Sequence, residues 1–118
     1  MSDKAAYALL IYRSSEGEIT EARATQALEG HRALQRGAAA DLHAVARLDG
    51  VEGAKTVVLR GSAHEITDGP YIETKEWLVG FYLLDCANMN EALAHARTIC
   101  SDDVHVIEVR PVSWRGPE

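Results

Sequence analysis

The chain has few of the residues that stabilise secreted, membrane-spanning or metal-binding proteins. Two cysteines, Cys86 and Cys100, occur in 118 residues without C-x-x-C spacing, so neither a disulfide framework nor a zinc site is predicted and both are expected to be reduced, buried thiols. No apolar run approaches the roughly 20 residues of a membrane-spanning helix. Residues 1–4 lack the pattern of a secretion signal. We therefore expect a cytoplasmic protein that does not enter a membrane.

Positive charge and cofactor motifs are also scarce. Lys and Arg number 12 against 18 Asp and Glu, which gives a formal net charge of −6 without any basic run. Binding to nucleic acid or to an anionic membrane needs a cationic face, so both are disfavoured. The chain contains no P-loop, no G-x-G-x-x-G turn, no G-x-S-x-G elbow and no H-E-x-x-H motif. No cofactor and no metal are therefore predicted.

Length and hydrophobic periodicity predict a single α+β domain over residues 1–118. Two helices are predicted, one from an N-cap at Thr20 to about Ala38 and one that starts at the capping residue Asn88. The strands are predicted at Ala5–Tyr12, Leu42–Leu48, Ala54–Arg60, Trp77–Cys86 and Val104–Val109, with a short one at His64–Thr67. The Gly-containing segment Asp49–Gly53 is interpreted as a hairpin connection between the second and third strands.

The order of these elements predicts a ferredoxin-like antiparallel sheet with both helices on one face. The strands Ala5–Tyr12 and Trp77–Cys86 are apolar on both faces, yet two helices can cover one face only. We therefore predict a symmetric homodimer in which a second copy packs against the uncovered face. The alternative is a monomer in which the tail Val112–Glu118 and a loop cover that face.

The nine residues from Asp68 to Glu76 carry the most specific signal in the chain. Gly69-Pro70 fixes the backbone next to the Asp68 carboxylate, which either caps its own turn or is held there for chemistry. This stretch resembles the signature of the DGPF proteins within the YCII-related superfamily, with Tyr71 where phenylalanine is usual. The resemblance extends from Tyr7-Ala8-Leu9-Leu10-Ile11-Tyr12 to Val109-Arg110-Pro111-Val112. It implies the dimeric α/β-barrel arrangement, in which two ferredoxin-like sheets stack face to face.

The resemblance also implies a catalytic pair, because YCII-like proteins have a helix histidine and a loop aspartate in one cleft. His31 and Asp68 match those two positions. The residues alone place His31 on the apolar stripe of the first helix, where a partner must offset the cost of its desolvation. A carboxylate near its ring would fix the tautomer and raise its basicity. The alternative is a core histidine bonded to a backbone carbonyl.

Tyr12, Glu73 and Lys75 are three further candidate ligand-binding residues, and His43 is considered beside them. Tyr12 ends the first strand and would line the cleft beside His31, or else serve packing alone. Glu73 and Lys75, from the signature, would clamp a polar ligand or order their loop through an ion pair. His43 follows the first helix and is either an exposed edge-strand residue or a local ligand contact, and the sequence alone assigns no metal to it.

Two functions fit these observations. The first is a cofactor-independent enzyme of lyase or isomerase type that acts on a small organic molecule, with His31 as general base and Asp68 orienting it. The second is a non-catalytic small-molecule-binding or regulatory protein. For that one the resemblance implies a link to sigma-factor regulation.

Overall fold

Six strands and two α-helices are present in a computed structural model that describes residues 3–14, 18–71, 76–102 and 104–117. Short 3-10 turns occupy Ala39–Asp41 and Val51–Gly53. The elements are β1 Ala5–Ser14, α1 Glu21–Gly37, β2 Leu42–Arg47, β3 Lys55–Arg60, β4 Ala63–Asp68, β5 Glu76–Cys86, α2 Met89–Ile99 and β6 His105–Pro111.

Both helices begin at the side-chain caps that the sequence predicts. Thr20 Oγ1 accepts the backbone N–H of Arg23 at 3.2 Å. Asn88 Oδ1 accepts the N–H of Glu91 at 2.9 Å, and the Glu91 carboxylate accepts the N–H of Ala87 at 3.3 Å. The bonds to Thr20 and Asn88 each satisfy a donor that the first helical turn leaves unpaired, and the bond to Glu91 pairs the N–H of the residue before the second cap. The last residue of β5 is thereby joined to the first turn of α2 by a corner of fixed geometry.

The main sheet has four antiparallel strands in the order β2-β5-β1-β6. This is the order of a ferredoxin-like sheet, so the predicted fold class is confirmed. β1 lies in the centre, and its pairing with β5 shifts by one residue where Ile11 faces Gly80 and Tyr12 faces Leu78. The shift leaves Val79 as a bulge, which bends the strand beside the cavity described below.

The predicted hairpin between the second and third strands is wrong. β2 pairs with β5, whereas β3 pairs with β4 in a separate two-stranded sheet. The connection between β3 and β4 is the two residues Gly61 and Ser62, and Gly61 has φ +62°. A tight turn with a positive φ at its first position matches the twist of paired strands, which the longer 3-10 segment Val51–Gly53 does not. The β3–β4 hairpin is therefore an insertion between β2 and β5.

The core lies between one face of the main sheet and the two helices. Its largest fully buried side chains are Leu9, Tyr82, Leu84 and Cys86. The helices are in close contact at Gly30, where an added Cβ would lie 2.5 Å from the carbonyl oxygen of Thr98. The other residues of this core are Ile11, Leu34, Ala38, Ala92, Ala96 and Ile99.

The opposite side of the main sheet, called the open face here, carries the alternate residues of the same strands. Leu10, Tyr12 and Phe81 are half-buried there, and Val106 is 52% exposed. Among the described residues, both helices pack on the other side. No helix in the described ranges is long and apolar enough to span a membrane.

Candidate functional site

A cavity of about 580 Å³ lies between the helix-covered face of the sheet and α1. Its apolar wall comes mainly from α1, β2 and the bulged segment of β5. Six polar side chains interrupt that wall, from Arg13, His31, Gln35, Arg47, Asp102 and His105, and the Tyr82 hydroxyl adds a seventh polar group. An apolar cavity with a few convergent polar groups is the usual form of a small-molecule site.

His31 enters this cavity from α1 and is bonded to Tyr82 of β5. The His31 Nδ1 atom lies 2.7 Å from the Tyr82 hydroxyl, and the two rings are parallel with centroids 5.7 Å apart. Gln35, one helical turn after His31, donates from Nε2 to the same hydroxyl at 3.1 Å. The sheet therefore holds the histidine through a tyrosine hydroxyl rather than through a carboxylate.

Burial lowers the pKa of His31, and the positive charge of His105 lowers it further. Burial also raises the pKa of Tyr82, against a smaller opposite effect of the bond from Gln35. Both groups are therefore neutral near pH 7. Nδ1 either accepts the Tyr82 proton or donates its own to the Tyr82 oxygen, and in the second case Nε2 is a free base.

A second histidine faces the same cavity and is held by a carboxylate. His105 Nδ1 lies 2.8 Å from Asp102 Oδ2, and the Asp102 side chain is 3% exposed. Asp102 Oδ1 also accepts the backbone N–H groups of Val104 and His105, at 2.9 and 2.8 Å. An ionised carboxylate only accepts hydrogen bonds, so His105 donates its Nδ1 proton to Asp102, and Nε2 is the ring nitrogen that can exchange a proton with a ligand.

The charge state of Asp102 follows from these bonds. Burial raises its pKa, but the bonds from the His105 side chain and from two backbone N–H groups outweigh burial and lower the pKa below its ordinary value. Asp102 therefore stays ionised beside the cavity. Among the described residues that line the cavity, Asp102 is the one acidic residue, and its carboxylate is hydrogen-bonded to His105.

Two arginines also line the cavity. Arg13 of β1 lies opposite His105 of β6, and Arg47 of β2 lies opposite Gly80 of β5. Neither arginine forms an ion pair with a carboxylate of the described residues. The cavity is thus a cationic region of an otherwise acidic chain, which favours an anionic ligand.

The predicted pair His31 and Asp68 is not in contact within one chain. Asp68 ends β4, its side chain is 89% exposed, and Oδ1 accepts from Nζ of Lys55. It does not line the cavity. The dyad of His31 with Asp68 stays a prediction.

The other predicted ligand residues lie apart from the cavity or outside the described residues. Strand alternation places Tyr12 on the open face, because its neighbours Ile11 and Arg13 line the cavity. Glu73 and Lys75 fall outside the described residues. His43 lies on edge strand β2, and its Nε2 is 2.9 Å from Asp85 Oδ1.

The cysteines differ from each other. Cys86 is fully buried, as predicted, and burial together with nearby carboxylates raises the pKa of its thiol to about 11, so it is a weak nucleophile. Cys100 was expected to be buried, and this is wrong: it is exposed because it lies at the C-terminal cap of α2, where the helix stripe ends.

The family model for the YCII-related domain matches residues 5–114. The chain belongs to the YCII-related family. Its similarity to an uncharacterised protein of Rhizobium meliloti (strain 1021) amounts to 46% identity over 83 residues, which is 67% of this chain. The aligned part is 65% of that relative's length. Since the relative carries no assigned activity, the function of this YCII-related chain has to be argued from its own cavity.

Sequence reasoning did not identify Tyr82, Asp102 or His105 as residues of the site. Tyr82 was interpreted as one of several apolar strand positions, and its bond to His31 joins residues 51 positions apart. For His105, the sequence shows no Asp/Glu spacing that stands out as a set of metal ligands. The local pattern Asp102-x-x-His105 at the start of β6 was available, because an aspartate that bonds the backbone two or three residues on is a common turn.

Proposed function

We propose that this YCII-related protein is a cofactor-independent enzyme of lyase or isomerase type, which moves a proton on a small organic molecule in the helix-side cavity. His31 is the general base. The observation that carries the proposal is that two histidines, His31 and His105, share one cavity and each is oriented by a hydrogen-bond partner. Positioned acid–base groups of this kind contribute about 10²- to 10⁴-fold to a rate.

The two histidines are suited to different parts of a proton transfer. His31 is neutral because its pKa is lowered by burial and by His105, so a base is present at pH 7. His105 is held by ionised Asp102, which stabilises the imidazolium that forms when His105 accepts a proton. His105 that has taken up a proton from solvent can therefore supply it to a new position or to a leaving group while neutral His31 removes a proton from carbon, and His31 afterwards returns that proton to solvent.

The cavity also indicates the type of substrate. Arg13 and Arg47 supply positive charge that no carboxylate of the described residues pairs with, and the remaining wall is largely apolar. A guanidinium binds a carboxylate through two parallel hydrogen bonds. We propose a small carboxylate with a hydrocarbon body and a carbonyl group that acidifies the neighbouring C–H bond.

The active form proposed here is a homodimer. The open face carries Leu10, Phe81 and Val106, and the β3–β4 hairpin exposes Val57 and Ile66 at 61% and 67%. Apolar surface of this extent in one chain is typical of an interface. Tyr12 would lie in that interface. The dyad of His31 with Asp68, ligand contacts by Glu73 and Lys75, and a cytoplasmic location are kept as parts of this proposal.

Proton transfer can be tested without knowing the product. The protein is incubated in D₂O with a panel of small carbonyl-bearing carboxylates, and loss of C–H signals is followed by ¹H NMR. The proposal expects exchange on at least one compound, and His31→Ala should reduce the exchange rate about 10²- to 10⁴-fold while ligand binding by saturation transfer is kept. Asp68→Asn reports on the predicted dyad in the same assay.

His64→Ala is the matched control, because His64 lies exposed on β4 and away from the cavity. It should leave exchange unchanged. Binding of a panel compound with no exchange in the wild-type protein would favour the non-catalytic binding or regulatory function instead. Equal exchange by wild type and His31→Ala would remove His31 as the base.

A further inference from the structure

Three potential metal ligands meet where β5 turns into α2, outside the residues that line the cavity. They are Cys86, Glu91 and His95, and their ligand atoms all lie within 4.8 Å of one another. Cys86 is buried, whereas Glu91 and His95 are half-buried, so the cluster reaches solvent on one side. We propose that Cys86, Glu91 and His95 bind a divalent cation of the zinc type.

The fold places these side chains together before any cation arrives. Glu91 and His95 are four residues apart on α2 and therefore share one face of the helix. Cys86 is the last residue of β5, and the corner that follows is fixed by the Asn88 cap and by the bond from Ala87 N–H to Glu91. That bond also supports the Glu91 carboxylate from outside the cluster, as partners of metal ligands commonly do.

The distances need little adjustment. Zinc bonds to sulfur, nitrogen and carboxylate oxygen of about 2.0 to 2.3 Å place neighbouring ligand atoms of a tetrahedral site roughly 3.3 to 3.8 Å apart. The ligand atoms of Cys86, Glu91 and His95 lie within 4.8 Å of one another, so side-chain rotations that move these atoms by about 1 Å would complete the tetrahedral geometry.

The donor set selects the class of cation. Thiolate and imidazole suit zinc and similar borderline-soft ions, whereas magnesium and calcium prefer oxygen alone. On binding, the Cys86 S–H bond breaks, the thiolate forms the S–metal bond, and the proton leaves to solvent. Three protein ligands leave a fourth position for water. Asp41 and Asp85 add negative charge near Cys86, while Lys4 is bonded to Asp41 at 2.7 Å.

Cobalt(II) is the probe for this site, because its spectrum reports both geometry and sulfur ligation. The protein, reduced and stripped with a chelator, is titrated with cobalt(II). The proposal expects tetrahedral visible bands and a sulfur-to-cobalt charge-transfer band, at one equivalent per chain. Zinc(II) should abolish both bands and raise the melting temperature of the protein.

His95→Gln is the main variant, since its half-buried position tolerates the change, and it should weaken cobalt binding at least about tenfold. Cys86→Ala should remove the charge-transfer band, with circular dichroism used to confirm that the variant is folded. Cys100→Ser is the matched control, because Cys100 is exposed and outside the cluster, and it should keep the full spectrum.

Loss of the charge-transfer band in Cys100→Ser but not in Cys86→Ala, or no such band in the wild-type protein, would overturn the proposal. The result does not depend on whether the cavity is catalytic.

Discussion

The main sheet and the β3–β4 hairpin are built from similar strands but differ in burial. Leu9 of β1 and Leu84 of β5 are fully buried beneath the helices. Leu59 of β3 and Ile66 of β4 are 60% and 67% exposed. Both regions contain β-branched and aliphatic residues of high strand propensity. Local pattern therefore determines whether a strand forms, whereas the elements packed against it determine whether the strand contributes to the core.

The hairpin is held at its base rather than along its face. Gly69 N–H donates to the Ala54 carbonyl at 2.7 Å, and Thr56 Oγ1 donates to the Gly69 carbonyl at 2.8 Å. The ion pairs of Lys55 with Asp68 and of Arg60 with Glu65 are exposed. Exposed pairs contribute about 0 to 1 kcal/mol each, and an isolated two-stranded hairpin is marginal in water.

The largest expected effect separates the two regions by the same substitution. Leu84→Ala leaves a cavity in the core and should lower the free energy of unfolding by about 2 to 5 kcal/mol. Leu59→Ala, on the exposed hairpin, should change it by no more than about 0.5 kcal/mol in dilute protein. Urea denaturation followed by circular dichroism measures both values. Similar losses for the two variants would show that the hairpin is part of the same core.

The next effect concerns the wall of the cavity. A Cβ at Gly80 would lie 2.7 Å from the Ala46 carbonyl oxygen across the β2–β5 pair, so Gly80→Ala should cost about 1 to 3 kcal/mol. Gly53→Ala is the control, because nothing lies within 4 Å of a Cβ there. The control should be neutral within about 0.5 kcal/mol in the same denaturation assay. A neutral Gly80→Ala would mean that β2 can move away from β5.

A third prediction tests what covers the hairpin. Amide hydrogens of β3 and β4 should exchange faster than those of β1 and β5 in dilute protein, because local opening of the hairpin costs less than global unfolding. Raising the protein concentration should slow exchange in the hairpin if a second copy packs there. Ile66→Ser should remove that concentration dependence. Hairpin amides as protected as β1 amides at every concentration would contradict the prediction that the hairpin opens locally.

The smallest effect is the pH dependence of Asp102. Its pKa is lower in the folded chain than the ordinary value near 4, so its contribution to stability is full above that value and is lost as the pH falls through the folded pKa. Asp102→Asn should therefore be less stable than the wild type at neutral pH, and the difference should shrink below about pH 4. Thermal denaturation across pH 2 to about 7 measures it. A difference that does not vary with pH would indicate a role in packing alone.

The elements that the sequence predicted well are those set by neighbouring residues. Thr20 and Asn88 were identified as caps because a cap acts within three residues of itself. The choice of strand partners was not available in the same way, since β2 pairs with β5 across residues distant in the chain. The same limit applies to the site. His31 was recognised as an inward residue, but its partner Tyr82 is supplied by the tertiary fold.

The close contact between α1 and α2 at Gly30 offers a way to change the cavity. Gly30 meets the main chain of α2 at Thr98 and directly precedes His31. This backbone contact limits how closely α1 can approach α2, and it therefore fixes the depth of His31 in the cavity. Protein engineers could therefore tune the reach of His31 through residue 30 and leave every wall residue of the cavity as it is.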